Sequence, residues 1–134
     1  VTFFHESPFT SSEHNIHSLL YNDSSIDVYS HVNVNQSAPH SKSQQSIKHL
    51  LLSDRAKAFS KPSLKISTED VEARHGAICG DLDETLLFYM QSRGLDETAS
   101  KALLIQAHLI NALSADTSKT LLDKAWAIVK RQIQ

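Results

Sequence analysis

The sequence is poor in the residues that build several familiar kinds of site. Cys79 is the only cysteine among 134 residues. No intrachain disulfide can form, and a reducing compartment is the simpler expectation. Three glycines are too few for a backbone cradle around phosphate, and no G-x-S-x-G elbow or H-E-x-x-H segment occurs. A basic run is missing as well. Thirteen Lys and Arg against fifteen Asp and Glu leave a formal charge of -2, which argues against a nucleic-acid or membrane surface. The longest apolar stretch, Ala102 to Ala115, is too short to span a bilayer and is interrupted by Gln106, His108 and Asn111. The start, Val1-Thr2-Phe3-Phe4-His5, has no initiator Met and no signal-peptide pattern, so the chain reads as a fragment or a trimmed product. Together these absences predict a protein of the cytoplasm or of an organelle interior such as the plastid stroma, with neither nucleic acid nor membrane as partner.

What is present divides near Gly80. Before it, β-prone groups such as Ile26-Asp27-Val28, Val32-Asn33-Val34, Leu50-Leu51-Leu52 and Leu64-Lys65-Ile66 predict short strands. Asn22-Asp23, Ser53-Asp54, Lys61-Pro62 and Glu69-Asp70 predict the turns between them. Ile47-Lys48 and Ala56 recur as Leu64-Lys65 and Ala73, an offset of seventeen that suggests stacked coils. An antiparallel sandwich fits the same periodicity. Beyond Gly80 the period is helical. Asp81 with Glu84 predicts a capping box, followed by Leu82, Leu86, Tyr89 and Met90 on one face and a stop at Gly94. A second helix is predicted from Asp96 to about Leu113 with Ala99, Leu103, Ala107 and Ile110 as its stripe. A third, capped by Asp116 or Ser118, carries Leu122, Ala125, Trp126, Val129 and Ile133. The division expected is a β portion over residues 1–80 and a helical subdomain over 81–134.

Eight histidines raise the question of a metal. His14-x-x-His17 would put two ligands on one face of a helix, but scattered histidines and one cysteine lack the ligand spacing of zinc sites. His5, His31, His40, His49 and His108 read as solvated or hydrogen-bonded residues. Cys79 with His75 four residues before it offers a thiol and a base, the minimum for a small thiol or metal-dependent enzyme, although buried inert cysteine is the commoner case.

Several blocks, taken in order, resemble the C-terminal region of the SufB/SufD family of iron-sulfur cluster assembly proteins. They are Leu50-Leu-Leu-Ser-Asp54, Lys61-Pro-Ser-Leu64, Asp70-Val-Glu-Ala-Arg-His-Gly-Ala77, Gly80-Asp-Leu-Asp-Glu84 and Leu87-Phe-Tyr-Met-Gln-Ser-Arg-Gly-Leu95. The match runs from about Ile47 to about Leu113, and His75-Gly76-Ala77 followed by Gly80-x-Leu82-Asp83-Glu84 favours the SufD side. The resemblance implies a mixed β-then-α chain: a few coils of right-handed parallel β-helix, then a C-terminal α-helical subdomain. It implies a scaffold or accessory subunit, not an enzyme, in complex with a SufB-like subunit and a SufC-like ATPase. Pairing with a second copy through the β-helix is a further partner expectation. No cofactor is implied as stably bound, only iron or an iron-sulfur cluster held transiently in the complex. Of single residues, His75 matches a position tied to cluster assembly at the SufB interface. Phe88, Tyr89 and Met90 are the expected anchors for the ATPase. The rivals are a divergent relative that binds SufC without supporting assembly, and the small enzyme built on Cys79 and His75.

Overall fold

The computed structural model describes residues 1–113 and 119–133. Six strands precede three helices: β1 (Thr2–His5), β2 (Ser11–Leu20), β3 (Ser25–Val34), β4 (Lys42–Leu51), β5 (Lys57–Ile66) and β6 (Glu72–Gly80), then α1 (Glu84–Ser92), α2 (Glu97–Ala112) and α3 (Lys119–Ile133). The strands form two three-stranded sheets, ordered β1-β3-β5 and β2-β4-β6, and every ladder is parallel. The antiparallel alternative is thereby excluded.

The chain alternates between the sheets, so each strand lies beside the one two places earlier. Contacts between β2 and β4 join residues 31 apart, as in Ser12–Ser43 and Ser18–His49. The offset of seventeen read from the sequence is not the stacking distance. Ile47 pairs with Ile16 and Ala77, whereas Leu64 pairs with Val32. An offset near half the true spacing relates consecutive strands, which belong to opposite sheets.

The strands are also longer than expected. Ile26–Val28 and Val32–Val34 are both parts of β3, which continues through Ser30 because that hydroxyl bonds Gln45 inside the molecule. Lys61-Pro62 is not a turn but lies within β5. An edge strand tolerates proline, since an N–H on its open side needs no ladder partner. Asn22-Asp23, Ser53-Asp54 and Glu69-Asp70 do fall between strands. At the connections leading into β2, β4 and β6, Phe9 (φ 59), His40 (φ 59) and Asp70 (φ 56) adopt left-handed backbone. The Phe9 N–H donates to the Pro39 carbonyl and the His40 N–H to the Asp70 carbonyl, so these corners stack in a column.

The space between the sheets is apolar at one end. Val32, Val34 and Ala38 are fully buried there against Phe3, Leu64 and Val71, and Ile47 is 1% exposed. Elsewhere it is lined by buried His5, Ser30, Ser41, Ser43, Gln45 and His49.

The helices begin near the predicted places, with shifted details. Asp83, not Asp81, caps α1, its carboxylate accepting from the Thr85 and Leu86 backbone N–H groups. Asp96 caps α2 by accepting from Ala99 N–H. On α1 no residue is buried; Leu87 and Met90 are half-buried, while Leu86 and Tyr89 of the predicted stripe are exposed. The stripe predicted for α2 is likewise rotated. Ser100 and Ile105 are the buried positions, and Leu103, Ala107 and Ile110 face outward. On α3, Leu122, Ala125, Trp126 and Val129 are half-buried as the pattern predicts. The caps Asp116 and Ser118 lie outside the described residues, as does the side chain of Ile133. Among the described residues no helix is long and apolar enough to cross a membrane.

Candidate functional site

β6 ends its sheet and pairs on one side only, with β4. Every residue from Arg74 to Cys79 is exposed as a result. His75 stands beside Gln45 and Cys79 beside His49, and both of those neighbours are hydrogen-bonded inside the molecule. The Ser30 hydroxyl donates to Gln45 Oε1 at 2.7 Å, and Gln45 Nε2 donates to the Ser63 carbonyl at 3.2 Å. His49 bonds Ser18 through Nδ1 and Ser60 through Nε2. Burial lowers its pKa, because a charged ring would lose its hydration there. The His75 and Cys79 side chains by contrast make no hydrogen bond among the described residues, and Cys79 is a free, exposed thiol. Both project from the strand into solvent, open to whatever approaches the edge.

Their separation decides what they can do together. Four residues along a strand span about 13 Å at roughly 3.3 Å per residue. A thiol–imidazole dyad needs contact at about 3 Å, so the spacing does not assemble the small enzyme. Nor does it fit one metal ion, since ligand bonds are about 2.0–2.3 Å; no group of three or more His, Cys, Asp or Glu suited to a metal occurs among the described residues. Gly76 lies inside β6, and a Cβ there would meet nothing within 4 Å. A glycine within a strand often marks the close approach of another backbone.

The other histidines separate by strand periodicity. His14 and His17 lie on β2, not on a helix, and three residues along a strand places them on opposite faces. His14 Nε2 reaches Ser30 at 3.2 Å, while the His17 ring meets His108 of α2. Burial is the main cause that lowers the pKa of His14, His17 and His108. His5 bonds Thr10 at 2.7 Å and Ser12 at 2.8 Å, and His31 bonds Ser63 at 2.7 Å. His40 stacks on Phe9 at the corner column. Sequence reasoning missed the polar interior; its signal is Ser, His and Gln at alternate positions, as in Ser43-x-Gln45-x-Ile47-x-His49.

On α1, Phe88 (72%) and Tyr89 (54%) are exposed, Met90 is half-buried, and Leu86 adds an exposed apolar side chain. The Arg93 guanidinium sits 5.2 Å from the Tyr89 ring centre. Leu103 and Ile110 of α2, also exposed, add to the apolar surface of the helical part.

Comparison with known proteins gives the following likenesses. The family model described as "SUF system FeS cluster assembly, SufBD core domain" matches residues 1–108. "Protein ABCI7, chloroplastic" of Arabidopsis thaliana is 46% identical over 74 residues, 54% of this chain and 16% of that protein. "Iron-sulfur cluster assembly protein SufD" of Escherichia coli is 31% identical over 104 residues, 77% of this chain and 24% of that protein. The Bacillus subtilis protein of the same name is 24% identical over 113 residues, 84% of this chain and 26% of its own length. The chain thus spans about a quarter or less of the length of these relatives.

Proposed function

Because the chain belongs to the SufB/SufD family, we propose that it is the C-terminal part of a SufD-like scaffold subunit that serves iron-sulfur cluster assembly within a complex and does no catalysis itself. In this reading the alternating parallel strands are the last coils of a right-handed β-helix and α1–α3 are the partner-binding subdomain. The observation that carries it is the open edge of β6. A strand with unpaired backbone groups, no side chain at Gly76 or Gly80 and an exposed imidazole at His75 is suited to receive a strand of a SufB-like subunit by backbone pairing. A second copy of this chain could use the same edge. His75 would then stand at the boundary between two chains, where its ring can offer a neutral nitrogen to iron in transit. The iron or cluster is cargo in this scheme, held while it is being built.

The helical surface completes the proposal. Phe88 and Tyr89, with Leu86 beside them and Met90 partly exposed, are the anchors for a SufC-like ATPase, which would supply the hydrolysis. Aromatic side chains of this kind dominate protein interfaces.

The test is His75→Gln in the full-length subunit. Gln keeps hydrogen bonding but is a poor iron ligand. Reconstituted with its partners, the variant should assemble with them normally and yield less iron-sulfur cluster by absorbance and by iron and sulfide analysis. Cluster formation at the native rate would leave His75 a surface residue only.

A further inference from the structure

Among the described residues a single aromatic contact joins strands to helices. His17 of β2 meets His108 of α2 with ring centres 5.0 Å apart and planes tilted by 58°. Nδ1 of His17 and Nε2 of His108 are closed off from solvent and have no hydrogen-bond partner. A neutral imidazole tolerates this better than an imidazolium, which carries a full charge and must donate from both nitrogens.

The surroundings sharpen the difference. Lys48 of β4 is the register neighbour of His17, and its charge opposes protonation of both rings; the charge on His17 also opposes protonation of His108. The other charged residues of α2, Glu97 and Lys101, pair with each other at 2.5 Å near the opposite end of the helix. No carboxylate of α1 or α3 acts on the pair among the described residues. Protonation would therefore gather like charges in a seam where, among the described residues, no anion offsets them.

We propose that the His17–His108 contact is a proton-sensitive latch, which holds α2 against β2 while both rings are neutral and releases it when they are charged. α1 and α3 pack on α2, so the whole helical part follows. Release would alter the presentation of the apolar helical surface without unstacking the strands. The single tryptophan, Trp126, lines a cavity of about 450 Å³ with Tyr21, Leu52 and Ile105, and so reports on this seam.

Hydrogen exchange of the chain and Trp126 emission, followed between about pH 7.5 and about pH 5 across the histidine range, test the latch. As pH falls, α2 amides should lose protection several-fold and the emission should move to the red, while β3 and β4 amides stay protected. His108→Phe, which retains a packed ring but cannot titrate, should abolish both responses; His40→Gln, at an exposed corner, should leave them intact. An unaltered response in His108→Phe, or none in the native chain, overturns the proposal. Should that variant not fold, imidazole NMR of the native chain decides. Coupled titration of His17 and His108 below the ordinary histidine range supports the latch, and independent titration within that range refutes it.

Discussion

A histidine between two sheets is stable only if its nitrogens find partners, and His49 finds them in Ser18 and Ser60. Truncation would strand both hydroxyls and open a cavity. His49→Ala should therefore cost about 1–3 kcal/mol for the stranded groups alone, seen as a lower urea midpoint at an unchanged slope. Ile47, the largest fully buried apolar side chain, should cost more: Ile47→Ala is expected to lose about 2–5 kcal/mol. His75 provides the contrast. Its side chain is exposed and without a hydrogen-bond partner among the described residues, so His75→Gln should change stability by no more than about 0.5 kcal/mol in either direction. A functional loss in that variant would then belong to the site and not to the fold.

Among the elements, the two edge strands on the side away from the N-terminus differ sharply. β5 carries Lys57, Lys61 and Lys65 on one face and Pro62 on the other, features that discourage pairing with another chain. β6 carries Gly76, Ala77, Ile78 and Gly80 and lacks such protection over that stretch. If β6 receives a SufB-like strand as proposed, Ile78→Lys, at a position 63% exposed, should weaken that association in co-purification while leaving the circular dichroism of the chain unchanged. At the helical end, Asp83→Ala removes the cap of α1 and should cost about 0.5–2 kcal/mol of local stability, read as lost helical signal. The helices are legible in the sequence because capping is local: Asp96 and the α3 stripe at Leu122, Ala125, Trp126 and Val129 fall where the pattern puts them. The rotation of α2 is not legible. Its apolar residues surround the helix, and the face that turns inward is chosen by His17 and the corners of the strands, which are remote in sequence. The spacing of paired strands escapes for a related reason. Strands of opposite sheets look alike, so similarity at seventeen residues competes with the true repeat. His75 comes from the family resemblance, since no local pattern distinguishes an imidazole on an open edge from one on any solvated strand.

For the molecule as a whole, His14, His17, His49 and His108 all have pKa values lowered from 6.5, chiefly by burial. The unfolded chain then binds more protons than the folded one just below 6.5. Their contribution leaves stability intact above that value, and stability declines as pH falls from 6.5 through the lower folded values. Urea midpoints should accordingly fall as the medium is acidified across this window, and the fall should be smaller in His49→Phe if that variant folds. The left-handed corners at Phe9, His40 and Asp70 carry a different consequence, for how such a chain can change in length. In the proposed β-helix each coil would touch only its neighbours, so growth would be quantised. One inserted residue inverts the faces of a strand as far as the next corner and drives its interior side chains into water. A whole cassette cut from corner to corner preserves every face, so a duplicate of residues 10–40 spliced in after His40 should fold with one additional coil.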